Sequence, residues 1–203
     1  GDRGNRDVNP QNINLDGGKI YRINEDGTIP EDNPFFNNPN AKKAIYSYGH
    51  RNPQGMFKHP VTGEIWTNEH GPRGGDEINI IKKGKNYGWP KITYGINYSL
   101  TTITKDKSLP GMEQPLYYWL PSIAPSSFEY ISSNIYPNWN GSLLAGALVF
   151  KHIERIGLKN NKVVSRSKIA EGLGRPRDVK QGPDGYIYVS IENKGIYKII
   201  PKE

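Results

Sequence analysis

The chain has no cysteine, which excludes disulfides, thiolate metal sites and a cysteine nucleophile, and leaves the redox compartment undecided. It also lacks any apolar run of about 18 residues, the length that would mark a membrane span. No signal peptide is visible. The first residues are Gly1-Asp2-Arg3-Gly4 with no initiator methionine, as expected of a portion of something longer. Apolar residues are sparse at 34% of 203, and no segment repeats them at helical spacing over a normal helix length. A concentrated block of one charge is missing too. The formal net charge is +7, but lysines and arginines are dispersed among acids. The densest basic stretch, Lys82-Lys83-Gly84-Lys85, reads as a solvated turn, so no nucleic-acid partner is expected. The mild positive bias suits an anionic small ligand instead.

What the chain does have is turn-forming and strand-forming residues. Glycine (23) and proline (16) approach a fifth of the sequence, enough to interrupt helices repeatedly, because glycine costs backbone entropy and proline lacks the N–H donor. Tyrosine (13) and tryptophan (4) fit pleated surfaces better than helix faces. Strand-like units follow one another between turns. Lys19–Ile23 meets the turn Asn24–Gly27, and Glu64–Thr67 follows His59–Gly63. Ser142–Leu148 and Ile153–Leu158 lie between, and Tyr186–Ser190 and Ile196–Ile200 close the chain. Comparable units recur, as in "NPQGMFKHPVTGEIWTNEHG" and "RDVKQGPDGYIYVSIENKGIYKI", the way β-propeller blades repeat. A sandwich or barrel would carry similar turns. Two polar loops, Pro30–Lys43 and Tyr98–Glu113, break the rhythm, and no linker divides residues 1–203 into two domains.

Three clusters carry chemistry. Tyr48–Gly55 contains Arg51, a rigid fork of donors, beside Asn52, in a stretch stiffened by glycine and proline. This is an anion site or a polar turn. Asn68–Asn79 places three carboxylates within nine residues, Glu69 to Glu77, around a glycine-rich loop. Hard oxygen donors of this kind suit calcium, although the spacing is not that of an EF-hand, and a single histidine beside a glutamate makes no zinc site. The other reading is a solvated acidic turn. In Gly174–Val179, Arg175 and Arg177 are separated by one residue and share a side of an extended chain. They would grip a ligand bearing carboxylates, or serve as surface charge.

Together, "GHRNPQG" (Gly49–Gly55), "EHGPRGGDEIN" (Glu69–Asn79), "GKNYGWP" (Gly84–Pro90) and "RPRDV" (Arg175–Val179), with "GDRG", "GGKIYRINEDGTIPEDNPF" and "SIAPS", resemble the soluble glucose dehydrogenases and aldose sugar dehydrogenases that depend on pyrroloquinoline quinone (PQQ). The resemblance runs over essentially the whole chain. It implies an all-β, six-bladed β-propeller of which residues 1–203 supply the C-terminal blades. It also implies oxidation of an aldose at its anomeric carbon to a lactone, with hydride transfer to PQQ assisted by calcium. By the same resemblance Arg51 and Asn52 contact PQQ, with Arg51 near the reactive carbonyl. Arg175 and Arg177 bind its carboxylates, and Tyr98, Ser122, Ala147 and Leu148 line its pocket. The carbonyls of Gly71 and Pro72 resemble ligands of the calcium that activates PQQ. Glu77 and the backbone of Tyr87 resemble those of a structural calcium. An aldose, an external electron acceptor, a homodimer and a periplasmic or secreted location belong to the same expectation.

Two departures matter. The family's catalytic histidine precedes the "GDRG" segment, and none of His50, His59, His70 or His152 matches it, so no base is assigned and the 203 residues alone are expected to be inactive. A lysine common after Ala-Leu in the family is Val149 here, which removes one cation from the pocket; Lys151 stands two residues on. The alternative is therefore a non-catalytic propeller that binds sugar or protein partners.

Overall fold

The computed structural model describes residues 1–201. Thirteen strands and no helix occur among them. A two-stranded sheet joins β1 (Lys19–Tyr21) to β2 (Ile45–Tyr48). The first full sheet is β3 (Pro53–Lys58), β4 (Ile65–Glu69), β5 (Asp76–Ile81) and β6 (Tyr117–Trp119). The second is β7 (Pro125–Tyr130), β8 (Leu143–Ala147), β9 (His152–Lys159) and β10 (Lys162–Ile169). The last is β11 (Pro176–Gln181), β12 (Ile187–Ile191) and β13 (Gly195–Ile199). Each is an antiparallel meander in sequence order. The first strands β3, β7 and β11 lie side by side, β7 contacting both of the others, so the sheets radiate from a shared inner edge as propeller blades do.

The blades are held face to face by their apolar sides. Phe57, Trp66, Ile78 and Trp119 of the first full blade pack on Phe128, Leu143 and Ile156 of the second, with the Phe57 and Phe128 rings 5.0 Å apart. Ile131, Leu144 and Ile153 on the other face of the second blade meet Val179, Ile187 and Val189 of the third. Period-two alternation is what lets one strand feed two cores, and each large side chain so buried contributes about 1.5–3 kcal/mol.

The inner strands approach closely. A Cβ at Gly55 would lie 2.6 Å from the Phe128 nitrogen and 2.7 Å from the Ser127 carbonyl carbon, so only glycine fits there. Asn68, fully buried, pins the same junction: its Oδ1 accepts the Gly55 N–H at 2.8 Å and its amide donates to the Ser127 carbonyl at 2.8 Å.

One expected strand is shorter, and one strand was not read from the sequence. The first strand ends at Tyr21, not Ile23, after a register shift between Ile20 and Tyr21 in its pairing with β2. Strand β10 has a mostly exposed, polar sequence, KVVSRSKI; it is the outer edge of its blade, and an edge strand with no core on it carries little apolar alternation to read.

Candidate functional site

The stretch from Arg51 to Asn52 leads into β3, and its shape is set by a carboxylate beneath it. Glu69, at the end of β4 and 3% exposed, accepts the backbone N–H of Arg51 at 2.8 Å and of Asn52 at 3.2 Å through Oε2. Its Oε1 meets His50 Nδ1 at 3.2 Å and the Asn79 amide at 3.0 Å. His50, 0% exposed, stacks on Tyr87 at 4.5 Å and touches Ser47 Oγ through Nε2 at 2.8 Å. Burial alone would raise the Glu69 carboxyl. The bond and charge of His50 and the two N–H donors overcome it and hold the group below the usual carboxylate range. The Arg51 guanidinium is then free to reach outward: it donates to the His70 carbonyl at 3.1 Å and lies 5.4 Å over the Trp89 ring.

A second buried carboxylate fixes the neighbouring turn. Asp76, 1% exposed, accepts the Gly71 N–H and the Ser122 hydroxyl, both at 2.8 Å, and the Ala124 N–H at 2.7 Å. One side chain thus ties the Gly71–Gly75 turn of the first full blade to the segment entering β7. Ser122 Oγ also lies 3.4 Å from the Pro72 carbonyl. The turn is so tight that a Cβ on Gly71 would overlap the Gly75 carbonyl group.

Between these two carboxylates sits Glu77. It retains some surface exposure, yet it lines a small enclosed space with Arg51, Glu69, Gly71, Tyr87 and Trp89. Desolvation, then the negative charge of Glu69, push its carboxyl up to about 8, against a 3.1 Å hydrogen bond from Asn79. The second cluster is therefore a buried acid group and not a solvated turn. Two carboxylates held this close, with a buried Asn79 Oδ1 that has no partner, form a donor set short of positive charge.

Two open cavities adjoin this centre. One of about 250 Å³ is bounded by Asp2, Arg6, Arg51, Pro72, Trp89 and Tyr98. The other, about 210 Å³, is bounded by Gly71, Pro72, Tyr98, Ser122 and Val149 among others. Tyr98 stands between them, 72% exposed. Ala147 and Leu148 are buried at the end of β8, and Leu148 donates its N–H to the Ala124 carbonyl at 3.1 Å. Neither of them lines the two cavities. Val149 lines the second cavity, where Arg73 supplies a cation.

Arg175 and Arg177 converge as their spacing predicts, but on a protein carboxylate. Arg175 Nε lies 2.9 Å from Glu192 Oε2 and Arg177 Nη2 lies 2.6 Å from Oε1. They stand at the start of β11, as Arg51 stands just before the start of β3. Arg177 lines a cavity with Gln54, Ser126 and Asp178, separate from the one that holds Arg51 and Gly71. The structure thus brings Arg51, Gly71, Pro72, Glu77 and Tyr87 into one enclosure. It sets Tyr98 and Ser122 around its mouth and leaves the arginine pair to the side. Glu192 was given no role from sequence, His50 was named only as not matching the base, and Glu69 and Asp76 were read only as members of the acidic cluster. "EHG" and "GDE" lay in plain view, but nothing local reveals that a glutamate reaches back 18 residues to a backbone N–H.

The family described as Glucose / Sorbosone dehydrogenase matches residues 1–198. The aldose sugar dehydrogenase YliI of Escherichia coli is 46% identical over 190 residues, covering 91% of this chain and 51% of that protein. A crystal structure described as glucose dehydrogenase superposes on the whole chain with a TM-score of 0.93 at 40% identity, covering 59% of that structure. The PQQ-bound form of an aldose sugar dehydrogenase from Streptomyces coelicolor superposes at 0.74 with 30% identity, over 95% of this chain and 51% of that one. The chain spans about half the length of the curated relatives it matches, 44% and 51% of two of them.

Proposed function

The chain belongs to the glucose/sorbosone dehydrogenase family, and from that premise we propose that it carries the cofactor-side and metal-side contacts of a quinoprotein that oxidises an aldose at the anomeric carbon to a lactone. The observation that supports this most directly is the pairing of Arg51 with the Gly71–Pro72 turn, each braced from below by a buried carboxylate. A charge-stabilising donor and a carbonyl-lined turn held rigid before any ligand arrives suit a reaction in which negative charge develops on an oxygen.

The residues present fit both implied groups. Glu77 and Glu69 share one space, and burial, then the negative charge of Glu69, push the Glu77 carboxyl up to about 8. A hard dication with oxygen ligands would relieve that, with Glu77 and the Tyr87 backbone as its ligands, and the Gly71 and Pro72 carbonyls holding a second ion. For PQQ, planar and anionic, the fit is the Arg51 guanidinium with the aromatic Trp89 and Tyr98, in a cavity where Asp2 and Asp7 offset its two arginines. Ser122 lines the adjoining cavity; Asn52 would add a donor, Ala147 and Leu148 would add backbone contacts, and Arg175 and Arg177 would offer donors for carboxylates. When bound, PQQ supplies two-electron acceptance from the sugar and calcium supplies electrostatic activation. Arg51 then stabilises the charge at the acceptor oxygen, and Glu69 keeps Arg51 and Asn52 aimed by fixing their backbone. The proton of the anomeric hydroxyl passes to a base outside these residues. On this reading the chain forms the C-terminal blades of a six-bladed ring, works in the periplasm or outside the cell, and hands electrons to an external acceptor, as a homodimer or a monomer.

A non-catalytic, sugar- or protein-binding propeller is the second reading. Val149 at the cavity wall and Glu192 occupying both arginines favour it. Dye reduction separates the two: the full-length protein, loaded with PQQ and calcium, is assayed with several aldoses. Calcium-dependent PQQ uptake and turnover are expected, and the absence of both would leave only the binding reading.

A further inference from the structure

A polar cluster lies outside this site, at the junction of the first and second full blades. Alternation puts His152 and Glu154 of β9 on one face, with Arg166 and Lys168 of the paired strand β10 beside them, Lys168 opposite Glu154. On β8 the residues opposite His152 and Glu154 are Ala147 and Ala145, and these small side chains leave room. A cavity of about 180 Å³ results, with Phe150, Leu120 and Pro121 as its apolar wall.

His152 is 3% exposed and neither ring nitrogen has a hydrogen-bond partner. Leaving buried polar atoms unpaired costs about 1–3 kcal/mol each, so such a ring in a cavity wall invites an occupant. Its Nε2 stands 3.8 Å from Glu154 Oε2, too far for a direct bond and suited to a bridging oxygen. Glu154 cannot swing to close that gap, because its Oε1 accepts from Trp119 Nε1 and Arg166 Nε, both at 3.0 Å.

We propose that this pocket binds a hydroxylated ring compound, such as a sugar unit, through a hydroxyl bridging His152 and Glu154. A hydroxyl donates and accepts at once, which is what a fixed carboxylate facing an unpaired imidazole requires. The half-exposed Phe150 ring, stacked on His152 at 6.2 Å, offers the ligand's C–H face an apolar surface. Arg166 already neutralises Glu154, so the ligand needs no charge of its own. The pocket is built by two complete blades and shares only the Pro121 edge with the cavities described above. The inference therefore stands apart from the dehydrogenase reading.

The test uses methyl β-glucopyranoside, which has no free anomeric hydroxyl to oxidise, with the His152 imidazole followed by NMR in the full-length protein. Saturable movement of its resonances at millimolar ligand is expected. Phe150→Ala, at a half-exposed position that should not disturb folding, should weaken binding about tenfold, equivalent to about 1.4 kcal/mol. His152→Phe, which keeps the ring, should abolish saturable binding as followed by calorimetry. No saturable shift with the methyl glucoside would overturn the proposal. So would an equal response to acetate, or affinity unchanged in Phe150→Ala.

Discussion

The two cationic regions differ in what stands behind them. Arg51 extends from a stretch whose backbone is clamped by Glu69, a carboxylate sealed from solvent and tied to His50 and Asn79. Arg175 and Arg177 extend from the exposed start of β11, and only the surface carboxylate of Glu192 holds them. The first arrangement is fixed by buried bonds in low dielectric, where each is hard to break. The second rests on surface ion pairs, which salt screens and solvent replaces. One region is therefore ready before a ligand arrives, and the other must exchange a partner to receive one.

The comparison breaks most sharply at Glu69. Glu69→Ala leaves two backbone donors and the Nδ1 of His50 unpaired in the interior and should lower stability by about 3–5 kcal/mol, read as the shift in urea midpoint. If the Arg51 stretch held its shape by itself, the loss would be that of an ordinary surface change. Asp76→Asn is smaller: it cannot accept at both oxygens, and charge-assisted bonds are worth about 1.5–3 kcal/mol. Gly71–Gly75 and Ser122–Ala124 should then loosen together, seen as faster amide exchange at Gly71 and Ala124. Gly55→Ala tests the inner-strand contact. Its Cβ would meet Phe128 and Ser127 backbone, for an overpacking cost of about 1–3 kcal/mol with the Arg51 region otherwise intact.

The same contrast explains how much was legible in the sequence. Turn glycines, Gly-Pro-Asp-Gly above all, and alternating Ile, Val and Tyr announced β12 and β13 because those signals are local. Arg51 and the acidic, glycine-rich cluster stood out because guanidinium and carboxylate have chemistry that a residue name conveys, whereas Gly71 and Glu77 were picked from that cluster by the family resemblance. The bracing did not. Glu69 reaches Arg51 across 18 residues and Asp76 reaches Ala124 across 48. Such partnerships exist only once β3, β4 and β7 are laid side by side. The Arg175–Arg177 pair shows the converse: the spacing gave their convergence, while Glu192, on the far side of the β12 pairing, decided what they converge on.

The smallest expected effect is the most telling about the arginine pair. Bonding to Arg177 outweighs desolvation and holds the Glu192 carboxyl below its ordinary 4.5. Because the folded-state value is depressed, the contribution is present above the unfolded value and fades as pH falls through the folded one. Glu192→Gln should leave the melting temperature near neutrality almost unmoved, since exposed pairs add little, and wild type and variant should converge as pH falls through the depressed Glu192 value. Its effect should appear elsewhere. With the internal carboxylate gone, both arginines are free to meet an incoming one, so PQQ should bind the variant more tightly, by fluorescence titration without any turnover. Tighter binding would mean that Glu192 holds the place of a ligand carboxylate and must yield it. Weaker binding would mean that Glu192 aims the pair, and the third blade would then be braced as the first is, by a carboxylate that happens to lie at the surface.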